Sequence, residues 1–156
     1  MKKGKIIILS GPSGSGKTTL YKRLLASRDF KDRLAKSISV TTRPRRPGEK
    51  NGRDYFFVSP RMFLAKKRAG HFFESQKVFN NYYGTPNKYV RDLLKAGKNV
   101  LLCIDVRGAK TVCQKYPDAV RIFIKTPSLR ILKRRLEGRR SEHKDNVALR
   151  LKRVRE

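Results

Sequence analysis

The sequence predicts an α/β fold in which a mainly parallel sheet carries helices on both faces. Five short apolar runs have the length and the β-branched content of strands, at residues 5–9, 37–40, 55–58, 99–104 and 120–124. Helical patterns separate most of these runs, and chains that alternate in this way form parallel sheets. A glycine-rich segment directly follows the first run. Because ligands gather at the carboxyl ends of the strands in such sheets, we expect a binding site there.

The glycine-rich segment, residues 11–18, reads Gly-Pro-Ser-Gly-Ser-Gly-Lys-Thr and is a complete phosphate-binding loop of the P-loop NTPase type. Its glycines let backbone N–H groups surround a phosphate chain, and Lys17 supplies a positive charge for the β- and γ-phosphates. Thr18 offers a hydroxyl to Mg²⁺, partly through water. A flexible Gly/Ser turn, the alternative, requires neither Gly-Lys-Thr at its end nor the helical stretch at residues 20–26. We therefore predict that a nucleoside triphosphate binds to Gly11, Pro12, Ser13, Gly14, Ser15, Gly16, Lys17, Thr18 and Thr19.

Three further helices are predicted from apolar residues that recur at helical spacing. One covers residues 60–69, a second ends at Gly97, and a third begins at Ser128. Residues 55–83 interrupt the alternating pattern with short strands, which indicates a small inserted lobe. Residues 138–145 are polar and lack periodicity, so we expect a mobile loop between two helices.

The charge of the chain is extreme. Its 156 residues, enough for one domain, include 40 Lys and Arg against 12 Asp and Glu, for a formal net charge of +28. Such a charge suggests nucleic acid or phosphate-rich substrates as partners, or a solvated basic surface. No base-reading motif accompanies it, so we expect at most non-specific binding to nucleic acid.

The cysteines and apolar segments bear on the compartment. Cys103 and Cys113 show no spacing with His71 and His143 that is typical of a zinc site, and we expect reduced thiols, with Cys103 buried. No segment approaches the length of a membrane span, and the basic N-terminus lacks a signal-peptide core. These features favour a cytoplasmic protein without membrane contacts.

A second candidate site is the bend at residues 39–49, where Arg43, Arg45 and Arg46 stand among prolines. A guanidinium group suits bidentate contact with a phosphate dianion, and neighbouring prolines reduce the entropy lost when the arginines are held in place. A solvated basic turn is the alternative. The triphosphate site in the same chain favours a second phosphate site instead.

A series of motifs in this order resembles the guanylate kinase family and covers nearly the whole chain. The motifs are the phosphate-binding loop, Thr-Thr-Arg-Pro-Arg-Arg-Pro-Gly-Glu at 41–49, Asp-Tyr at 54–55, Phe-Glu at 73–74, Asn-Tyr-Tyr-Gly-Thr at 81–85, Ile-Asp at 104–105 and Arg-Leu-Glu-Gly-Arg at 135–139. The resemblance implies transfer of the γ-phosphoryl group of ATP to GMP, and also to dGMP, with Mg²⁺ as cofactor. It also implies a core of residues 1–36 and 86–156, a lid at about 135–150, and a GMP-binding lobe at 37–85.

By motif position, the resemblance assigns each candidate residue a role. The phosphate of GMP is held by Ser39, Arg43, Arg46, Tyr55 and Tyr83. The guanine end is read or supported by Glu74, Thr85 and Asp105. Catalysis is assigned to Lys17, Arg43, Arg135, Arg139 and Arg150.

The chain departs from the family pattern at two places. The family usually has a second acidic residue two positions before Asp105, where this chain has Cys103. The sequence also stops within a predicted helix, whereas relatives continue into a further strand and helix, so we expect a truncated C-terminus. Two alternatives to an enzyme stay open: a non-catalytic interaction module of the same fold, against which the intact loop argues, and a basic nucleic-acid-binding protein.

Overall fold

The computed structural model describes residues 3–138. In chain order these residues form β1 (Ile6–Ser10), α1 (Lys17–Ala26), β2 (Leu34–Lys36), β3 (Val40–Thr41), β4 (Phe56–Phe57), α2 (Pro60–Arg68), β5 (Phe72–Val78), β6 (Asn81–Pro86), α3 (Asn87–Lys95), β7 (Asn99–Cys103), α4 (Val106–Lys115), β8 (Val120–Phe123) and α5 (Leu129–Glu137). No helix within residues 3–138 is long and apolar enough to cross a membrane.

The central sheet has the strand order β2-β7-β1-β8, and all of its neighbouring strands are parallel. Alternate side chains of β1 and β7 enter two separate apolar clusters. One cluster contains Val90 and Leu94 of α3 and Val112 of α4, and the other contains Tyr21 of α1. Helices therefore cover both faces of the sheet, which confirms the predicted α/β fold class.

The second sheet has the order β4-β3-β6-β5 and lies between β2 and α3 in the chain. Strands β5 and β6 form an antiparallel pair, and β3 joins β6 antiparallel while it joins β4 parallel. Helix α2 covers this sheet through the fully buried Phe63, whose ring stacks on Phe72 and Tyr82 at centroid distances of 4.5 and 5.3 Å. Ser59 caps the helix by accepting a hydrogen bond from the Met62 N–H.

The predicted strand at residues 37–40 is wrong in its placement. The chain instead forms β2 before the run and begins β3 at its last residue, Val40, and residues 37–39 pass from one sheet to the other. The Ser37 N–H donates to the Leu101 carbonyl of the central sheet, and the Ser39 carbonyl accepts from Phe56 of the second sheet. The predicted strand at 55–58 likewise reduces to Phe56–Phe57. Of the predicted loop at 138–145, only Gly138, the C-cap of α5, belongs to the described part of the chain.

Candidate functional site

The segment between β1 and α1 has the backbone of a phosphate-binding loop. Gly11, Gly14 and Gly16 have φ angles of 143°, 90° and 105°, which turn the chain sharply between the strand and the helix. The Ser15 hydroxyl is buried and has no hydrogen-bond partner within residues 3–138. A helix N-terminus and a buried hydroxyl without a partner in the described residues, both at one turn, suit an anionic ligand.

Lys17 is the first residue of α1, and its side chain returns over the loop. Its ammonium group donates to the Gly11 carbonyl at 2.6 Å and to the Pro12 carbonyl at 2.8 Å. Thr18 and Thr19 follow on the first helical turn and are exposed. The structure thus gathers the loop cation and the predicted Mg²⁺-binding hydroxyl at one helix end.

Helix α5 docks on the loop and places Arg135 there. Leu132 and Leu136 of α5 are fully buried, and a Cβ atom at Gly14 would lie 3.1 Å from both leucine side chains. Gly14 therefore lets the helix approach the loop closely. Arg135 Nη1 donates to the Ser15 carbonyl at 3.4 Å. The other two predicted arginines of this group, Arg139 and Arg150, lie outside the described residues.

In the arginine-rich bend, Glu49 fixes the orientation of Arg43. The Arg43 Nη2 atom lies 2.7 and 2.9 Å from the two carboxylate oxygens of Glu49, and Nη1 donates to the Pro44 carbonyl at 2.6 Å. The Arg46 backbone N–H donates to the same carboxylate at 2.8 Å. Burial lowers the pKa of Arg43, but the hydrogen bonds and the charge of Glu49 raise it further, so its net shift is upward. The carboxylate thus organises both arginines that the sequence assigns to a phosphate.

Two tyrosines stand beside this guanidinium group. The Arg43 Cζ atom lies 5.5 Å from the ring centroid of Tyr55, and the Tyr55 ring meets Tyr83 edge-on at 6.2 Å. Burial raises the pKa of Tyr55 to about 12, and the neighbouring Tyr83 adds to the effect, so the hydroxyl remains protonated and can donate. Ser39 is adjacent, since its carbonyl accepts from the residue after Tyr55 at 2.9 Å. The structure therefore brings four of the predicted phosphate-binding residues together, and Arg46 joins them through Glu49.

Glu74 is a buried carboxylate in the second sheet. It pairs with Thr85 across β5 and β6, and the Thr85 hydroxyl donates to Glu74 Oε1 at 2.6 Å. Glu74 is only 6% exposed, and this burial raises its pKa to about 7. The hydrogen bond from Thr85 opposes the shift, while the negative charge of Asp105 adds to it. A carboxyl group with such a pKa is partly protonated and partly ionised at physiological pH.

Asp105 stands at the N-terminus of α4, close to Glu74. Its Oδ1 atom accepts from the Gly108 N–H at 2.8 Å and caps the helix. A Cβ atom at Gly108 would lie 2.7 Å from Glu74 Oε2 and 3.2 Å from Asp105 Oδ1. Only a glycine at this position therefore allows the helix end to approach the Glu74 carboxylate so closely.

Three residues that contribute to this region were absent from the candidates. Glu49 lies three positions after Arg46, and an acidic residue so close to three arginines was an available signal. Gly108 and Lys36 gave no signal, because their importance depends on residues that are distant in sequence.

Cys103 ends β7, and burial raises its pKa to about 11 although the charges of Lys36 and Lys17 oppose this.

Comparisons with known proteins identify the family of the chain. A family model described as guanylate kinase matches residues 3–156. The chain is 48% identical to a guanylate kinase of Rubrobacter xylanophilus over 97% of this chain and 78% of that protein. It is 46% identical to a guanylate kinase of Novosphingobium aromaticivorans over 98% of this chain and 68% of that protein. The crystal structure of a guanylate kinase from Anaplasma phagocytophilum superimposes with a TM-score of 0.75 at 32% identity, over 99% of this chain and 86% of that one. The chain belongs to the guanylate kinase family.

Proposed function

We propose that the chain transfers the γ-phosphoryl group of ATP to GMP, with ATP on the loop between β1 and α1 and GMP on the second sheet. Kinase activity follows from family membership. The proposal concerns which substrate binds at the loop and which binds at the second sheet. The placement of two cationic groups on different elements supports it. One group consists of Lys17 and Arg135 at the loop, and the other is Arg43 with Tyr55 and Tyr83.

On the ATP side, the loop backbone and the N-terminus of α1 attract the phosphate chain. The Lys17 ammonium exchanges its two carbonyl acceptors for oxygens of the β- and γ-phosphates. Mg²⁺ fits at the exposed Thr18 hydroxyl, since Mg²⁺ takes oxygen ligands and retains several waters. The bound ion supplies charge neutralisation to the phosphates. Cys103 is not a candidate ligand, because a thiol is a poor donor to this hard cation.

On the GMP side, the phosphate group binds among Ser39, Arg43, Arg46, Tyr55 and Tyr83. Arg43 is already oriented by Glu49, so little side-chain entropy is lost when the phosphate arrives. The hydroxyls of Tyr55 and Tyr83 donate hydrogen bonds to phosphate oxygens. The tight pairing of β3 with both β4 and β6 holds these groups in a fixed relation.

The guanine base is recognised by Glu74 and Thr85, with support from Asp105. Guanine presents N1–H and the exocyclic N2 amine as two neighbouring donors, and the ionised carboxylate of Glu74 accepts both. The Thr85 hydroxyl is able to turn from Glu74 to the O6 acceptor. Adenine has an acceptor at N1 and would leave the buried carboxylate unpaired, which costs binding energy.

Catalysis in this proposal is positioning and charge stabilisation, without a general base. Lys17 and Arg135 stabilise the migrating phosphoryl group, whose charge spreads over its equatorial oxygens, and Arg139 and Arg150 are assigned to the same task by motif position alone. Arg135 already contacts the loop at the Ser15 carbonyl. The observation that carries the whole proposal is the Glu74–Thr85 pair, because a buried carboxylate beside a hydroxyl fits guanine in particular.

The test is a coupled assay of ADP production from ATP with GMP, AMP, CMP and UMP in parallel. We expect turnover with GMP and at least about 10²-fold lower kcat/KM with the other three nucleotides, because each lacks the guanine donor pair. The variant Lys17→Ala, which removes the loop cation and leaves the second sheet intact, is the matched inactive control. Turnover that does not depend on the acceptor nucleotide would overturn the proposal. An inactive chain that binds GMP would favour the interaction module instead.

A further inference from the structure

Lys36, the last residue of β2, holds its ammonium group in an unusual environment. The Nζ atom lies 4.4 Å from the ring centroid of Tyr21 and 5.9 Å from that of Tyr55. Its one hydrogen-bond acceptor within residues 3–138 is the Asp54 carbonyl at 3.5 Å, which is a long and weak contact. No carboxylate in this part of the chain comes within salt-bridge distance of the ammonium group.

Holding the Lys36 ammonium group in this environment lowers the stability of the folded chain. Burial lowers the pKa of Lys36, although the charges of Cys103 and Asp54 partly oppose the shift. The Asp54 carboxylate acts only at a distance, because it is itself bound by Arg53 at 2.7 Å and by the Lys50 N–H at 2.8 Å. The Lys36 ammonium group has three N–H donors, but its surroundings consist of two aromatic rings and one weak acceptor. Most of its hydrogen-bonding capacity is therefore not used.

The position of Lys36 connects the two proposed substrate sites. On one side is Tyr55, which belongs to the Arg43 group. The Lys36 ammonium group also faces the ring of Tyr21 in α1, the helix that begins at Lys17 after the loop. Lys36 therefore lies beside both the Arg43 group and the helix that carries Lys17.

We propose that the Lys36 ammonium group binds the phosphate of the acceptor nucleotide, as a further substrate-positioning residue beside Arg43 and Tyr55. The inference rests on the proposed function, since it takes the Tyr55 side as the GMP phosphate site. The flexible lysine stem exchanges the weak Asp54 carbonyl contact for a charged phosphate oxygen. Lys36 has no carboxylate partner within residues 3–138, so its ammonium group is able to bind the phosphate without breaking an ion pair.

The test compares GMP with guanosine, which lacks the phosphate, in wild type, Lys36→Met and the exposed control Lys67→Met. We expect Lys36→Met to raise the KM for GMP about 10- to 100-fold, as for a lost charge-assisted hydrogen bond. The KM for ATP and the inhibition constant of guanosine stay within about threefold. The Tm of the nucleotide-free variant is equal to or above that of wild type, because a buried cation with a single weak acceptor is removed. Lys67→Met changes none of these values.

A purely structural Lys36 would give the opposite pattern. The Tm would then fall, and GMP, guanosine and ATP would all weaken together. Either that result or an unchanged KM for GMP in Lys36→Met overturns the inference. If the methionine variant does not fold, Lys36→Gln replaces it in the same comparison. A wild-type chain without GMP-dependent turnover would instead refute the proposed function, so the two failures are distinguishable.

Discussion

Replacement of Glu74 by glutamine separates what this carboxylate does for folding from what it does for GMP. The variant keeps the size of the side chain and an acceptor for the Thr85 hydroxyl, which lies 2.6 Å from Oε1. It removes the negative charge that burial and Asp105 make unfavourable. Stability and substrate use are therefore expected to change in opposite directions.

The stability effect follows from the pKa of Glu74. This pKa is raised from 4.5 to about 7 in the folded chain, so the folded chain retains a proton that the unfolded chain releases. The stability contributed by the protonated carboxyl is fully present below pH 4.5 and is lost as the pH rises through 7. The loss corresponds to about 3 kcal/mol at pH 8. Because glutamine does not ionise, Glu74→Gln is expected to be more stable than wild type at pH 8 by up to that amount and no more stable at pH 4.

The effect on GMP has the opposite sign. An amide cannot accept both guanine donors, and the lost charged hydrogen bond of about 1.5 to 3 kcal/mol raises the KM for GMP about 10- to 150-fold. The KM for GMP in wild type also rises as the pH falls below 7, since only the ionised carboxylate accepts both donors. The phosphate of GMP also titrates near pH 6 and affects the same pH profile. Because glutamine does not titrate, the KM of Glu74→Gln changes with pH only through the phosphate, which separates the two effects.

The assays are urea unfolding without nucleotide at pH 4 and pH 8, and initial rates over the same range. The exposed Glu137→Gln serves as the matched control, and we expect it to change neither stability nor the KM for GMP. A Glu74→Gln variant that is less stable than wild type at pH 8, with an unchanged KM for GMP, would refute the reasoning. Glu74 would then be a structural carboxylate.

Three further predictions concern the loop, helix α4 and the surface charge. Lys17→Ala lowers kcat at saturating ATP and GMP by at least about 10²-fold, because its charge faces the transferring phosphoryl group, and undiminished turnover would exclude that role. Gly108→Ala raises the KM for GMP about tenfold with little change in the KM for ATP, since its Cβ atom would lie 2.7 Å from Glu74 Oε2 and displace the carboxylate. Equal changes in both KM values would place the effect outside the guanine site. Labelled RNA binds at low salt without sequence preference and dissociates towards physiological salt, as the net charge of +28 implies, and tight sequence-specific binding at physiological salt would favour the nucleic-acid alternative.

The parts of the site that depend on local sequence were predictable. The loop glycines, Lys17 and Thr18 are contiguous, and their backbone geometry follows from residue type. The start of α5 was also predictable, because Ser128 caps it by accepting from the Ile131 N–H. By contrast, β2 was missed because its three residues, Leu34–Lys36, are too short and too mixed in polarity to stand out from the neighbouring residues.

The parts that depend on distant contacts were not predictable from residue type. Gly108 lies inside an ordinary helix, and its necessity comes from Glu74, which is placed there by β5. Lys36 is one of 40 basic residues, and only the folded positions of Tyr21 and Tyr55 distinguish it from a solvated lysine. Buried charges whose partners come from other elements are a property of the tertiary structure.

The most direct test of the central claim compares GMP with inosine 5′-monophosphate, which lacks only the N2 amine. Because Glu74 accepts from both N1–H and the amine, we expect wild type to favour GMP by at least about tenfold in kcat/KM. The same ratio should fall by about tenfold in Glu74→Gln, because the single carbonyl oxygen of the amide cannot accept from both guanine donors. Equal use of the two nucleotides by wild type, or an unchanged preference in Glu74→Gln, would contradict the assignment of guanine recognition to this buried pair.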